Sequence, residues 1–337
     1  MPELTPITDE TPLVSVIIPS YNSRPWIGKA LDSLFEQTYT NLEIIVVDDG
    51  STDDTRVYLE ENYSGKINYF YQPNTGVSNA RNNGLRHATG WLIQFLDADD
   101  WLLPRKIERQ VTYLKQNPEL GVVYSSFWSA YDDAPDKLYS PEESGYVIIP
   151  GHIITRQLKH STTAIHSALV RRECFELVPT FSENLKGYED WEFWLKLGAA
   201  DIEFGYMDEK LVVYRLRRNS VSRTTYHQKI NRFRAYGGVK AAFEPGKLHF
   251  YLNQTNNAAS FEFGVARALL EQKQYKASFQ QFFRSLKAKH PQRFLFTLFS
   301  VLYVNLVPFM GYYRLEKLLD WLVYFALNMK SREKIKS

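Results

Sequence analysis

The chain has 337 residues, 44% hydrophobic and 23% charged, a balance that excludes a disordered chain and a length beyond the usual size of one core. Its net charge of +2 conceals an asymmetry: from Arg267 to Ser337, 13 Lys and Arg face 4 Asp and Glu, so the rest of the chain is acidic. The basic charge accompanies an apolar tail and not an aromatic-studded groove, which argues against nucleic acid as a partner, and the single Cys174 excludes an internal disulfide.

The opening MPELTPITDETP carries acids and prolines where a secretory signal needs a basic stretch followed by a long apolar one, so a cytoplasmic location is expected. VSVIIP (Val14 to Pro19) is a β-branched run ended by proline, the pattern of a strand buried on both faces. A loop, SYNSRP, precedes WIGKALDSLFEQ, whose apolar residues Ile27, Leu31, Leu34 and Phe35 have helical spacing. LEIIVVDDGSTDD repeats the pattern, with a strand from Leu42 to Val47 and then an acidic loop. TRVYLEENY predicts a helix, KINYFYQ a strand, and VSNARNNGLRHA another helix opened by the turn NTG. GWLIQFLDADD is the next strand with its terminal loop.

Strands alternating with helices predict an α/β fold with a mostly parallel sheet flanked by helices. Ligands of such sheets bind beyond the carboxyl ends of the strands, which here carry SYN, VDDGS and DADD. Further on, VVYSSFW and YVIIP are strand-like, EDWEFWLKLG is helical, and YRLRRNSVSR is a basic loop containing Arg215, Arg217, Arg218 and Arg223. Beyond it the chain reads as helical, with a hairpin in FEFGVARALLEQKQYKASFQQFFRSLKAK. The stretch from Phe294 to Tyr313 lacks charge and is flanked by Arg293 and Arg314. Buried core, an in-plane membrane contact over 294–337 supported by basic residues, and a true span are the three readings, in that order.

Asp97-Ala98-Asp99 places two carboxylates on one side of an extended segment, where they can address one hard divalent cation or a cation and a sugar hydroxyl. Alone, such a pair is also a common solvated turn. The other loops add to it: VDDGS offers carboxylates for a base N–H and ribose hydroxyls, Tyr21 offers a ring to cover a base, and Arg81 offers a guanidinium for a nucleobase oxygen or a phosphate. Together they form a nucleotide-diphosphate site built around a metal. No His or Cys pairing supports zinc, and His160 and His166 read as structural.

The motifs VSVIIPSYN, LEIIVVDDGSTDDT, NTGVSNARNNGL, FLDADDWLLPRKI and YEDWEFWLKLG, in this order, resemble the family-2 inverting glycosyltransferases of GT-A fold over about residues 12 to 223. The resemblance implies transfer of a sugar from a nucleotide-diphosphate donor, UDP favoured, to a glycan or lipid-linked acceptor hydroxyl with inversion. It implies a nucleotide pocket of Pro19, Tyr21, Asp48, Asp49, Arg81 and Asp97, and a metal, Mn²⁺ or Mg²⁺, on Asp99 and Asp97. It places the general base in Glu189-Asp190, with Asp190 favoured; the bland alternative is that both merely complement a helix dipole. Arg215 and Arg218 are the expected diphosphate contacts, with a solvated basic surface as the alternative. Trp101, Trp191 and Trp194 could stack on sugar rings, although the spacing of the last two suits a core.

The expected organisation is a tail (1–12), a GT-A catalytic domain (13–225) with a nucleotide-binding half to about 105 and an acceptor half from 106, and a helical C-terminal extension (226–337). The Q-x-x-R-W motif of processive members does not occur in the sequence, so one sugar per acceptor is expected, in cell-surface glycan synthesis on the cytoplasmic side of the membrane. The competing readings are a binding module without catalysis and a nucleotidyltransferase; the latter should show a Gly-rich phosphate loop where SYNSRPW has none.

Overall fold

The structure, a computed structural model, describes residues 2–144, 153–159, 163–178, 180–217 and 235–254. All belong to one compact unit, Met1–Thr255; a second unit, Asn256–Ser337, lies outside the described residues. The strand YVIIP, the boundary at 225, the hairpin after Phe261 and the stretch 294–337 therefore also lie outside them.

The β-branched run becomes β1 (Val14–Ser20), which pairs in parallel with β2 (Leu42–Asp49) and with β4 (Leu92–Phe95), while β3 (Asn68–Gln72) pairs in parallel with β2. Burial on both faces explains the unbroken apolar sequence. Val14, Val16 and Ile18 point into one core layer with Ile44 and Val46, whereas Ile17, Ile45 and Val47 point into the other. Each fully buried side chain of this kind contributes about 1.5–3 kcal/mol.

Helices α1 (Ile27–Phe35), α2 (Thr55–Tyr63) and α4 (Lys106–Gln116) send Leu31, Leu59 and Ile107 into the first layer. The second layer receives Ala80 from α3 (Val77–His87), Cys174 from α6 (Cys174–Leu177), and Phe193 and Trp194 from α7 (Glu189–Ala199). In α3, Gly84 brings the helix so close to β1 that a Cβ there would run into Ile17 Cγ2.

The sheet continues with β5 (Trp101–Leu102), β6 (Leu120–Tyr131), β7 (Ala134–Tyr139), β8 (Ala168–Arg171) and β9 (Glu203–Leu216). The order is β3-β2-β1-β4-β8-β6-β9-β5, with β7 beside β6. The expected parallel arrangement describes β3-β2-β1-β4. Beyond β4 the sheet is mixed: β8 pairs antiparallel with β4 and β6, β5 antiparallel with β9, and β6 parallel with β9. The sense reverses at the tight turn between β6 and β7: β7 runs antiparallel to β6, and β8, which follows a short helix, α5 (Ile153–Lys159), keeps the sense of β7. Helices 235–242 (α8) and Pro245–Gln254 (α9) follow β9. No helix among the described residues is long and apolar enough to cross a membrane.

The amino-terminal segment is strapped to the sheet. Arg171, 2% exposed, donates from Nε to Leu120 O (2.7 Å), from Nη1 to Thr5 O (2.8 Å), and from Nη2 to Leu114 O and Pro118 O (3.2 Å each). The Tyr39 hydroxyl donates to Pro12 O (2.6 Å), and Asn41 Nδ2 to Thr11 O (2.7 Å).

Candidate active site

The carboxyl ends of β1, β2 and β4 lie side by side, because β4 returns to the far side of β1 from β2. This reversal is where an open α/β sheet forms its crevice. Asn22, in the left-handed region (φ 48°), stitches the first two loops. Its N–H donates to Ser51 Oγ (2.9 Å), and its Oδ1 accepts from Thr52 N (2.8 Å). Tyr21 beside it is 51% exposed, and Pro19 is half-buried in register with Val47. Gly50 (φ +80°) is required because a Cβ would meet Asn74 N at 2.7 Å.

Asp48 and Asp49 are both buried and already hydrogen-bonded. Asp48 accepts from Ser51 N (2.8 Å) and the Tyr69 hydroxyl (2.7 Å). Asp49 accepts from Thr75 N (2.9 Å), Gly76 N (2.8 Å) and Gln72 Nε2 (2.8 Å), so it shapes the NTG turn that launches α3.

That turn delivers Arg81 to the crevice floor. Its Nη1 lies 2.7 Å from Glu189 Oε1 and its Nη2 2.7 Å from Asp97 Oδ1, with the side chain 4% exposed. One guanidinium thus joins the D-x-D loop to the first turn of α7. Burial opposes a charged Arg81, but Asp97 and Glu189 outweigh it and raise its pKa. Burial likewise opposes an ionised Asp97, yet Arg81, with His166 and Arg217, brings the carboxyl below its usual range.

Asp99 differs. Burial and the neighbouring Asp100 push it up to about 7, against the pull of Arg217, whose Nε lies 2.7 Å from Asp99 Oδ2. Asp100 is buried, with Oδ1 accepting from Arg215 N (2.7 Å) and Oδ2 2.8 Å from His166 Nδ1. His166 stacks on Tyr214 (5.6 Å, 14°), and its Nε2 is buried without a hydrogen-bond partner. Burial disfavours the imidazolium, but Asp100, with Asp97 and Asp99, raises its pKa.

Donor atoms of Asp97, Asp100 and His166 lie within 4.8 Å of one another, a group that can hold a divalent ion among the described residues. Carboxylate oxygens with one imidazole suit Mn²⁺, and the oxygens suit Mg²⁺. The unpartnered His166 Nε2 and the carboxylates therefore fit the implied cation.

On the opposite wall, Gly187 (φ 119°) and Tyr188 (φ 63°) turn the chain so that α7 begins with Glu189 and Asp190. Glu189 is held by Arg81; Asp190 Oδ1 accepts from Trp191 N (2.7 Å). Burial and Glu189 push Asp190 up to about 7, opposed by Arg81. Trp191 and Trp194 are core residues, their indoles donating to Gln157 O and Thr163 O.

Arg215 and His166 both reach the acidic loop after β4. Arg215 Nε donates to Asp99 O (2.7 Å), Nη1 lies 3.3 Å from Asp132 Oδ1, and the guanidinium lies 5.0 Å from the centroid of Trp101. Its placement on β9 opposite the D-x-D loop commits it to that loop. His166, read as structural, sits in the acidic cluster; only the fold could reveal this, since nothing near it has metal-ligand spacing. Arg218 and His160 lie outside the described residues.

Fold and site together define a nucleotide-crevice α/β protein of GT-A type. The family model "Glycosyl transferase family 2" matches residues 15–178. An uncharacterized glycosyltransferase of Rickettsia typhi is 34% identical over 227 residues, 65% of this chain and 68% of that one. Among solved structures, S. aureus TarS 1-349 in complex with UDP-GlcNAc superposes with a TM-score of 0.59 at 18% identity, over 88% of this chain and 87% of that one. The mannosyltransferase PcManGT from Pyrobaculum calidifontis, in complex with GDP-Man and Mn²⁺, gives 0.55 at 20% identity, over 97% and 89%. These structural likenesses concern the fold. The chain belongs to glycosyltransferase family 2 and is a glycosyltransferase.

Proposed function

We propose that the protein is an inverting, non-processive glycosyltransferase that moves a sugar from a nucleotide diphosphate, UDP favoured, to a hydroxyl of a cell-surface glycan or lipid-linked acceptor. The observation that carries the reading is Asp190: a carboxyl pushed to about 7, beside the Arg81 that also holds the D-x-D loop. A general base works best with a pKa near the working pH. Asp190 takes the acceptor's proton as the acceptor oxygen forms its bond to C1, while the bond from C1 to the diphosphate oxygen breaks on the opposite side. One displacement from that side inverts the anomeric centre.

Glu189, fixed by Arg81, positions the base and does not replace it. Tyr21 covers the base of the nucleotide, Pro19 lines its pocket, and Asp48 and Asp49 hold the loops around it. Asp97, Asp100 and His166 would hold Mn²⁺ or Mg²⁺, with Asp99 as the further carboxylate of the D-x-D pair beside them. When bound, the cation stabilises the charge growing on the leaving diphosphate. The nucleotide sugars bound by TarS and PcManGT support this class of donor. Work on the cytoplasmic face of a membrane, with the basic residues of 294–337 at its surface, accords with a lipid-linked acceptor.

Calorimetry with a panel of nucleotide sugars and Mn²⁺ tests the reading. One donor should bind in a metal-dependent manner, with binding lost in Asp99→Ala and kept in Asp190→Asn while turnover disappears. Absence of binding to every donor, with and without metal, overturns it.

A further inference from the structure

We infer that Arg217 is a tethered counter-cation of Asp99 that a divalent cation must displace, so that metal binding and the release of this guanidinium are one event. The inference rests on the reading of Asp97 and Asp99 as the donor and metal site. Both carboxylates of that pair already hold an arginine, but in different ways. Arg81 is 4% exposed and bridges Asp97 to Glu189 through two aligned hydrogen bonds of 2.7 Å. It is part of the framework.

Arg217 is one-third exposed and its partner Asp99 one-fifth exposed. Its Nε comes within 2.7 Å of Asp99 Oδ2, yet this nitrogen, shielded from solvent, has no aligned hydrogen bond among the described residues. The guanidinium instead rests over the Trp26 ring, 4.5 Å from its centroid. Close charge contact with unmet donor geometry marks a pair held by attraction alone. Such a pair is readily exchanged for an acceptor that satisfies the fork.

Charge balance points the same way. Asp97, Asp99, Asp100, Glu189 and Asp190 meet Arg81, Arg215, Arg217 and His166; Arg215 turns to Asp132 and to the Asp99 carbonyl, and His166 pairs with Asp100. Arg217 is the cation set against the Asp99 side chain itself. A metal arriving at Asp99 competes for the same oxygen, and an arginine freed there stands next to the newly bound anion. Trp26 keeps it close, because its own indole N–H is fixed on Asp132 (3.0 Å).

The test is Mn²⁺ titration of the full chain without donor, read by electron paramagnetic resonance of the free ion. Arg217→Gln should tighten Mn²⁺ binding by about twofold to fivefold, the worth of a partly exposed ion pair. Arg105→Gln, which removes an equal charge at the exposed Arg105–Glu108 pair, should leave it unchanged. In an Asp99→Asn background the gain should vanish. Unchanged or weaker Mn²⁺ binding in Arg217→Gln, or no Mn²⁺ binding by parent and variant alike, overturns the inference. Should Arg217→Gln fail to fold, Arg217→Met serves: it keeps an apolar stem against Trp26 without the charge, and Mn²⁺ affinity should rise by the same amount. Donor binding by calorimetry in the same samples separates the two ideas. Donor bound with no effect of Arg217 refutes this inference alone, and no donor bound by any protein refutes the transferase site.

Discussion

Replacing Asp190 by asparagine should stabilise the protein at pH 8 while abolishing transfer. Burial and Glu189 raise this carboxyl from 3.8 to about 7 despite Arg81. That is about three units, and at about 1.4 kcal/mol per unit, ionising it costs the fold at most about 4 kcal/mol. The repulsion is shared with Glu189, so about 2 kcal/mol is the lower expectation. The native state binds this proton more tightly than the unfolded chain does. Stability therefore falls as pH rises from about 4 to about 7 and changes no further above it. The amide of Asp190→Asn keeps an oxygen for the Trp191 N–H and discards the charge. Urea unfolding should show the variant more stable than the parent by about 2–4 kcal/mol at pH 8, with the gap closing at pH 4, where both side chains are neutral. A gap that does not depend on pH refutes the raised carboxyl. Turnover retained at pH 8 refutes the role as base.

Arg81→Met leaves the buried Glu189 and the part-buried Asp97 without their cation and should cost about 3 kcal/mol in urea unfolding. Asp49→Asn turns a donor toward one of the N–H groups of Thr75 and Gly76; it should cost about 1–3 kcal/mol and speed hydrogen exchange at the start of α3. Gly84→Ala forces a methyl group into Ile17 and should lower the thermal midpoint through a loss of about 1–3 kcal/mol. His166→Phe preserves the stack on Tyr214 but removes the partner of Asp100, so calorimetry should record weaker Mn²⁺ binding than in the parent.

The first part of the sheet was legible because β1, β2 and β4 are buried on both faces. VSVIIP and LEIIVV have no polar face to obscure them, and the polar SYN after the first and the acidic DDGS after the second mark the strand ends. TRVYLEENY became α2 over the same residues, Thr55–Tyr63. Periodicity could not disclose how β8 enters between β4 and β6, since pairing depends on contacts distant in the chain. That insertion carries His166 to Asp100, 66 positions earlier, so a histidine without neighbouring ligands looked incidental. The basic loop was recognised from composition, but composition could not divide its labour. Alternation along β9 turns Arg215 toward the D-x-D backbone, and Arg217, two residues on, reaches the Asp99 side chain. Asp49 looked free to bind a ligand because a sequence does not show which N–H groups a turn will aim at it.

The cage around Arg171 bears on how this protein can be handled. One of its four carbonyl walls belongs to Thr5, nine residues ahead of the first strand. A shortened version starting at Leu13 would keep every strand yet leave a buried guanidinium with an unmet N–H, and it would strip Tyr39 and Asn41 of their acceptors as well. Losses of that size, about 1–3 kcal/mol for each stranded group, rival the whole stability margin of many domains. Affinity tags and protease sites therefore belong upstream of the first few residues, and a trimmed expression clone that aggregates would say nothing about the transferase itself.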